Sequence, residues 1–353
     1  MRKRLTIFCF FNKKGTVEQY VCDLLEQIET VSERIIIVIN GEINADGRRV
    51  LQQYSNELIQ RENKGLDQGA YRDVLNKYLT LQEIKEYDDV ILCNDTFYGF
   101  FTPLPEIFNT MEMKRLDMWG LNIIDRVLIK HIQSYFLVFS SDGIDVIYEY
   151  FKDVKYVSSY GEAVAFIETN LLKYIENKGL KYSSYVNTDC TDVYTNPFDS
   201  VVKYGLPIIK RKCLDNKVCD THILKRTIDY ICSTSAFNYS LPDIKEEIID
   251  IPPKKMAKAR ITEKELLEWS KQGSFYIFGA GKMGQLIYYT YFKDNDNFSG
   301  FVVTDTSEQL LKTFNYKEIA DDSRVIIGVG QDLQEEVYDL LPDTMEKIRL
   351  WQS

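Results

Sequence analysis

The sequence has little of what zinc centres, disulfide frameworks and membrane spans require. Only 2 of its 353 residues are His, and its 7 cysteines include no C-x-x-C pair. These shortages argue against a zinc site and against a disulfide scaffold. No apolar run reaches the roughly 18 residues of a transmembrane helix. We therefore expect reduced thiols, no membrane span and a cytoplasmic protein.

Positive charge is also in short supply, because 43 Lys and Arg face 53 Asp and Glu and leave a net charge of −10. That balance excludes a general nucleic-acid binder, although a local basic patch can still bind phosphate. Aromatic residues make up 13% of the chain, which suits large packed cores or a site that stacks on sugar rings. The length predicts two domains.

The chain begins with a short apolar run at 5–11 that imitates a signal peptide but lacks a small-residue cleavage site. We interpret it as a buried first strand. An apolar stripe of helical spacing follows at 17–28, and RIIIVING at 34–41 has the pattern of a strand buried on both faces. Strand, helix and strand in this order predict a βαβ unit and a mostly parallel sheet flanked by helices.

The segment RENKGLDQGAYRDVL at 61–75 places Gly65 and Gly69 where a strand turns into a helix. Ligands of open α/β sheets bind beyond the carboxyl ends of the strands, and helix N-termini favour anions. Two glycines four residues apart therefore suggest that a ligand approaches the backbone closely. A tight turn with a glycine cap and surface salt bridges is the alternative.

A second polar strand end follows the buried run VILC, where Asn94 and Asp95 come directly after it. Mg²⁺ and Mn²⁺ accept one or two carboxylates together with phosphate oxygens, so Asp95 is a candidate metal ligand. The alternative is an Asx-turn that ends the strand.

Polar and aromatic side chains alternate in a predicted strand at 131–141, which carries His131, Gln133 and Tyr135 on one face. A preceding predicted strand carries Asp117 and Trp119 near its start. Such a face is typical of carbohydrate sites, and a half-buried edge strand is the alternative.

A helix predicted over 161–179 offers Glu162 and Glu168 and ends at Gly179. Further along, the basic run at 210–212 is either solvated surface or a clamp for a diphosphate.

The C-terminal part contains a strand, a G-x-G-x-x-G motif, a helix and a second strand that ends at Asp305. This order predicts a small Rossmann-like unit that binds a nucleotide through Gly279, Gly281 and Gly284. Its roughly 85 residues are only half of a dinucleotide-binding fold. The predicted domains are 1–242, a linker and helix at 243–270, and 271–353.

Five motifs occur in an order that resembles the rhamnan synthesis protein F family of bacterial polysaccharide glycosyltransferases. They are NKGLDQGAYR at 63–72, NDTFYG at 94–99, DMWG at 117–120, HIQSYF at 131–136, and NPF with GLPIIKRK within 196–212. The resemblance covers roughly residues 1 to 220. It implies an α/β protein with a GT-A-like mixed, mostly parallel sheet flanked by helices, followed here by the small C-terminal Rossmann-like domain.

The resemblance also implies roles for individual residues. The donor, a nucleotide-diphospho-sugar, would contact Asn12, Asn63, Gly65, Asp67, Gly69, Tyr71, Arg72, Asn94, Asp95, Lys210 and Arg211. The acceptor would contact Trp119, His131, Gln133 and Tyr135. Asp95 would bind Mg²⁺ or Mn²⁺, although the first acid of the usual two-acid motif is replaced by Asn94.

In similar inverting enzymes the general base precedes a glycine by eleven positions, as Glu168 precedes Gly179 here. Glu168 is therefore the first candidate base, followed by Glu162 and by Asp117. The implied reaction is transfer of rhamnose from dTDP-rhamnose, with inversion, to a cell-wall or surface polysaccharide. The acceptor would be a growing glycan, free or lipid-linked, reached by peripheral contact with the membrane.

Two other functions stay open at this point. An NAD- or sugar-nucleotide-binding modifying enzyme could act through the C-terminal glycine motif, and it would need a catalytic Tyr-x-x-x-Lys helix in a suitable context after that motif. A non-catalytic scaffold that binds a donor without turning it over is the other alternative, and the loss of the first acid at Asn94 favours it.

Overall fold

The computed structural model describes residues 2–125, 128–188, 193–215, 217–235, 239–242, 258–305 and 312–351. These residues divide into two compact units. The first unit is Met1–Ile124, Ile132–Val157 and Leu171–Lys255, and the second is Asp125–His131, Ser158–Asn170 and Met256–Ser353. The linker predicted from 243 lies outside the described residues up to 257.

The front half of the chain forms a mixed sheet and a small two-stranded sheet. Their strands are β1 (Arg4–Phe10), β2 (Arg34–Asn40), β3 (Glu57–Arg61), β4 (Asp89–Asn94), β5 (Phe97–Gly99), β6 (Met118–Ile124), β7 (His131–Ile132), β8 (Phe136–Ser140), β9 (Tyr182–Asn187) and β10 (Ile208–Lys210). The large sheet has the order β3-β2-β1-β4-β8-β6-β7, and β9 pairs with β6. The first four strands are parallel to one another, whereas β8 is antiparallel to both β4 and β6.

Twelve α-helices occur in the described residues. They are α1 (Gln19–Glu29), α2 (Ala45–Leu51), α3 (Leu66–Asp73), α4 (Leu81–Ile84), α5 (Leu104–Glu112), α6 (Asp142–Phe151), α7 (Tyr160–Val164), α8 (Leu171–Asn177), α9 (Thr221–Thr234), α10 (Glu263–Ser270), α11 (Lys282–Ile287) and α12 (Gln334–Leu340). The α1 stripe of Val21, Leu24, Leu25 and Ile28 is fully or almost fully buried. The predicted βαβ unit and the mostly parallel sheet are therefore confirmed.

One predicted strand is wrong in its extent. The segment predicted as a continuous strand at 131–141 forms β7 and β8, which lie on opposite sides of β6. The chain must cross the end of β6 between them, and there the Gln133 N–H donates to the carbonyl of Asn122. Because the strand is interrupted, alternation cannot place His131, Gln133 and Tyr135 on a common face.

The second unit contains an entirely parallel sheet. Its strands are β11 (Phe275–Phe278), β12 (Phe298–Val303), β13 (Thr313–Asn315), β14 (Arg324–Ile327) and β15 (Glu346–Arg349), in the order β13-β12-β11-β14-β15. Two earlier segments join this unit, since Leu128 and Ile129 lie in its core and Gly161 packs against Gln285. The helix predicted within 243–270 is α10, and its Leu266 is buried in the same core. The predicted domain boundaries at 242 and 270 stay a prediction.

A buried ion pair connects β1 and β4 at the amino-terminal edge of the large sheet. It leads to a prediction about stability. Asp89 is almost fully buried and accepts from Arg4 Nε at 2.9 Å and from Arg2 Nη2 at 2.8 Å. Replacing Asp89 by Ala removes the buried carboxylate from the buried Arg4 and leaves it the partly exposed Glu112, which should lower the free energy of unfolding by about 3 kcal/mol. Urea unfolding of the variant measures this loss.

Glu57→Ala is the matched control, because Glu57 forms an exposed pair with Arg34 at 2.7 Å on the same edge. Exposed pairs contribute about 0–1 kcal/mol, so this variant should unfold close to the wild type. Equal losses of unfolding free energy in the two variants would contradict the conclusion that the buried pair contributes more than the exposed one.

Candidate functional site

The carboxyl ends of the parallel strands carry a connected group of polar side chains. Asn94 ends β4 and pairs in register with Cys9 near the end of β1. Its amide Nδ2 donates to Asp67 Oδ2 at 2.8 Å, and Asp67 is the second residue of α3. The two segments singled out in the sequence therefore meet at this edge.

The same asparagine connects this edge to a lysine. Asn94 Oδ1 accepts from the Thr96 N–H at 3.2 Å and from its hydroxyl at 2.7 Å. The hydroxyl oxygen in turn accepts from Lys210 Nζ at 2.8 Å, and Lys210 lies 4.0 Å above the ring of Tyr135. A buried ammonium thus lies beside a chain of amide, hydroxyl and carboxylate groups, which is an arrangement suited to a phosphate-bearing ligand.

Asp95 lies next to this chain and is only 4% exposed. Arg211 Nη1 is 3.6 Å from its Oδ2, and the Tyr20 hydroxyl donates to the same oxygen at 3.4 Å. Burial disfavours the charged carboxylate more than Arg211 favours it, so the pKa of Asp95 rises to about 6. A carboxyl group that ionises near neutral pH can bind a cation in response to ligand or pH.

The small two-stranded sheet places two cationic side chains, Lys210 and Arg211, at this edge. Strand β10 pairs antiparallel with β5, which follows directly after the 94–96 turn. The Arg211 N–H then donates to the Thr96 carbonyl at 3.0 Å. The basic run predicted as either a clamp or solvated surface therefore has two members at this edge, and Lys210 is 6% exposed.

The two glycines at the N-cap and in the first turns of α3 have structural causes of their own. Gly65 has φ = +76° and is the N-cap, where a side chain would be strained. A Cβ on Gly69 would lie 2.1 Å from the carbonyl oxygen of Lys64. The tight turn with a glycine cap accounts for both positions without a ligand.

Several donor-site candidates have other partners in the structure. Arg72 pairs with Asp73 at 2.8 Å and stacks 4.3 Å from the ring of Tyr156. Asn12 caps its own turn by accepting from the Lys14 N–H at 2.8 Å. The structure does not bring Arg72 into the group around Asp95.

Most buried polar atoms without a partner in the described residues belong to the segment before and within α3. They are Asn63 Oδ1, both polar atoms of the Gln68 amide and the Tyr71 hydroxyl, with Trp351 Nε1 elsewhere. Burial, together with the charges of Asp67 and Asp95, raises the pKa of Tyr71 well above its usual range. Tyr71 therefore lies within electrostatic reach of both carboxylates as a neutral phenol.

The predicted acceptor residues are mostly buried. Trp119 packs edge-on against Phe108 in the core of the first unit. Tyr135 is buried and donates to Asn122, while Gln133 accepts from Tyr194 at 3.3 Å. His131 belongs to the second unit, where its Nδ1 is 2.8 Å from the Ile129 carbonyl. Of these four, Tyr135 contacts the strand-end group, through Lys210.

The candidate bases occupy other places. Asp117 precedes β6, and β6 runs parallel to β4. Asp117 therefore lies at the opposite edge of the sheet from Asp95. Its Oδ2 accepts from the Lys181 N–H at 2.8 Å. Glu162 and Glu168 belong to the second unit. Glu162 accepts from the Ser158 N–H at 2.6 Å, and Glu168 is 9% exposed in a π-helical turn.

The glycine motif of the second unit is shaped by close packing. Gly279 has φ = +101°, and a Cβ on Gly284 would lie 1.7 Å from the Gly279 carbonyl oxygen. Gly281 caps α11 with open space around it, and Asp305 is exposed after β12. Nucleotide binding by this motif stays a prediction.

Sequence reasoning missed four residues of the first-unit site. Tyr20 belongs to the apolar stripe predicted at 17–28, and Thr96 lies between Asp95 and the aromatic residues that follow, so neither stands out in the sequence. Gln68 and Arg61 belong to the segment singled out, but neither residue type alone indicates a role. The pairing of Arg61 with Asp73 at 2.8 Å could only be seen in three dimensions.

Within the described ranges, no group of three or more His, Cys, Asp and Glu side chains could hold a metal ion by itself. No helix in those ranges is long and apolar enough to cross a bilayer.

Comparison with solved structures finds low similarity. Glucosyl-3-phosphoglycerate synthase from Mycobacterium tuberculosis, in complex with Mg²⁺ and uridine-diphosphate, is 13% identical with a TM-score of 0.34, over 53% of this chain and 69% of that one. HddC from Yersinia pseudotuberculosis is 14% identical with a TM-score of 0.32, over 53% and 91%. Similarity at this level carries no functional argument.

Comparison with sequences gives a firmer result. No curated protein matches the chain. The family model for rhamnan synthesis protein F matches residues 35–273, which is more than half of the chain and includes both polar strand ends and the basic pair at 210 and 211. The chain therefore belongs to the rhamnan synthesis protein F family of nucleotide-sugar glycosyltransferases.

Proposed function

We propose that this protein transfers rhamnose from dTDP-rhamnose to a growing cell-wall or surface polysaccharide, with inversion at the anomeric carbon. The observation that carries the proposal is the convergence of Asp67, Asn94, Asp95, Lys210 and Arg211 at one edge of the parallel sheet. Hydroxyl, amide and carboxylate groups there can bind a sugar, and the two cations can bind its diphosphate.

The leaving diphosphate needs its growing negative charge to be neutralised. Lys210 ends β10, which pairs with β5, and Arg211 follows it directly, so both cations would meet the diphosphate with little reorganisation. Arg72, which we also predicted to contribute, would have to leave Asp73 to do so. We therefore assign the leaving-group role to Lys210 and Arg211 first.

A divalent metal fits this edge as a partner of both the donor and Asp95. Mg²⁺ or Mn²⁺ bound to a nucleotide-sugar typically keeps one or two protein carboxylates, with phosphate oxygens and waters completing the shell. Asp95 would supply that carboxylate, because its raised pKa shows that the present cations do not fully compensate its burial. When bound, the metal would add Lewis-acid stabilisation of the diphosphate.

The acceptor hydroxyl must lose a proton as it attacks the anomeric carbon. Glu168 stays our first proposed general base, because it precedes Gly179 by eleven positions, and Glu162 is second. The acceptor would be a glycan, free or lipid-linked, and the enzyme would work in the cytoplasm or peripherally at the inner face of the cell membrane.

Donor turnover tests the proposal directly. Hydrolysis and binding are measured with dTDP-, UDP- and GDP-sugars, with Mn²⁺ or with EDTA, on wild type and Asp95→Ala. We expect selective turnover of dTDP-rhamnose that falls about 100-fold or more in EDTA and in the variant, because each removes part of the diphosphate site. Asp46→Ala, an exposed carboxylate on α2, is the matched control and should behave as wild type.

Metal-independent turnover that survives Asp95→Ala would assign the leaving-group role to Lys210 and Arg211 alone. Failure of any nucleotide-sugar to bind would refute the transferase.

The raised pKa of Asp95 predicts a pH dependence. Below about pH 6 the carboxyl is protonated and cannot bind a cation, so kcat/KM at sub-saturating Mn²⁺ should fall as the pH is lowered through about 6. Saturating Mn²⁺ should shift this inflection to lower pH, because the cation favours the ionised form. The inflection should be absent in Asp95→Asn, and a wild-type profile that is flat from pH 5 to 8 would contradict the assignment.

The base assignment predicts a separate phenotype. Glu168→Gln should lower kcat by at least about 100-fold with little change in donor affinity, since proton removal is not part of donor binding. Glu162→Gln serves as the comparison, and a larger effect there would exchange the two roles. An NMR spectrum of the product that shows retained configuration would refute both.

A further inference from the structure

Arg61, the last residue of β3, makes three side-chain hydrogen bonds for which the proposed function gives no reason. Its Nε donates to Asp73 Oδ2 at 2.8 Å, Nη1 donates to Asn40 Oδ1 at 2.5 Å, and Nη2 donates to the Lys64 carbonyl at 2.5 Å. The side chains of Arg61 and Asp73 are 9% and 6% exposed. One guanidinium therefore ties together the end of β2, the loop after β3 and the C-terminal end of α3.

These contacts surround a turn with two successive residues of positive φ. Gly65 and Leu66 have φ values of +76° and +54°, and only the first is a glycine. A left-handed leucine costs free energy and persists only where its surroundings hold it. Asn40 Nδ2 donates to the Leu66 carbonyl at 3.0 Å, while its Oδ1 is held by Arg61. Asn40, which is itself held by the Arg61 guanidinium, thus connects the end of β2 to the strained turn.

The consequence of this turn is the position of Asp67, which follows it immediately. Asp67 Oδ1 accepts from the Gln68 N–H at 3.0 Å and its Oδ2 accepts from Asn94 at 2.8 Å. If the turn relaxed, α3 would begin elsewhere and the carboxylate would leave Asn94. Because α3 is also held at its far end, where Asp73 accepts from Arg61, the guanidinium fixes both ends of the helix that carries Asp67.

We propose that Arg61 is a positioning residue of the donor site, which sets the left-handed start of α3 and thereby holds Asp67 against Asn94. This inference rests on the proposed function for its link to donor binding. A lysine cannot replace the guanidinium, because one ammonium on a flexible stem does not present three donors in a planar fork. The role differs from that of the exposed Arg34–Glu57 pair, which connects the opposite ends of the same two strands.

The experiment compares Arg61→Lys with Arg34→Lys on the full chain. Hydrogen exchange at 62–70 reports the turn without any ligand, and calorimetry with dTDP-rhamnose and Mn²⁺ reports donor affinity. We expect Arg61→Lys to speed exchange in that segment and to weaken donor binding at least about tenfold, since small misplacements of a binding group are costly. Arg34→Lys should change neither.

A double-mutant cycle separates positioning from general destabilisation. In an Asp67→Ala background, Arg61→Lys should weaken donor binding less than about twofold further, because Arg61 acts through Asp67. An equal loss in both backgrounds would overturn the proposal. Should Arg61→Lys not fold, Asn40→Ala removes the links from β2 to Leu66 and to Arg61 but keeps the guanidinium, and it is expected to reproduce the faster exchange.

The two proposals fail in different ways. If the wild type binds no nucleotide-sugar, the proposed function is wrong, but the exchange experiment still decides whether Arg61 holds the turn. If donor binds and exchange at 62–70 is unchanged in both Arg61→Lys and Asn40→Ala, the positioning role is wrong and the transferase proposal stands.

Discussion

Parallel pairing of β1 with β2 and β4 is the constraint on which the site depends. Every residue of β1 is buried, so its neighbours on both sides must stay in register and the strand ends must align at one edge. The polar residues at these ends, Asn40, Arg61, Asn94 and Asp95, are therefore brought together by backbone hydrogen bonds rather than by their own attraction. At the opposite edge, Arg4 with Asp89 fastens the same strands.

Buried positive charge at the carboxyl edge of the sheet is unusual for an acidic protein with a net charge of −10. Buried carboxylates and buried cations each lose hydration, and they are tolerated there because each has a directed partner. Lys210 has the Thr96 hydroxyl and the Tyr135 ring, and Arg211 has Asp95. The raised pKa of Asp95 shows that the compensation is incomplete. An anionic donor accompanied by a cation would complete it, which links the electrostatics of the free site to the ligand we propose.

Local patterns predicted the elements of the fold well, because apolar periodicity and glycine turns act over a few residues. The βαβ start, the buried strand before Asn94 and the parallel C-terminal sheet follow from such patterns. Patterns failed where the outcome depends on distant neighbours. The interruption between β7 and β8 arises because the chain crosses the end of β6, and Arg61 matters only because β2 and α3 meet there. Similarly, the sequence alone does not show that the Lys64 carbonyl requires a glycine at 69, and a ligand close to that glycine stays a prediction.

Asn94, which stands where the resemblance implies the first acid of a metal motif, has a role of its own in this geometry. An aspartate at this position would accept from Thr96 as Asn94 does, but it could not donate to Asp67. It would also place a second carboxylate against Asp67, and like charges at hydrogen-bonding distance oppose ionisation. The asparagine instead joins Asp67 to the strand end as a neutral bridge. Asn94 thus leaves two carboxylates at this edge, Asp95 beside it in the chain and Asp67 from the start of α3.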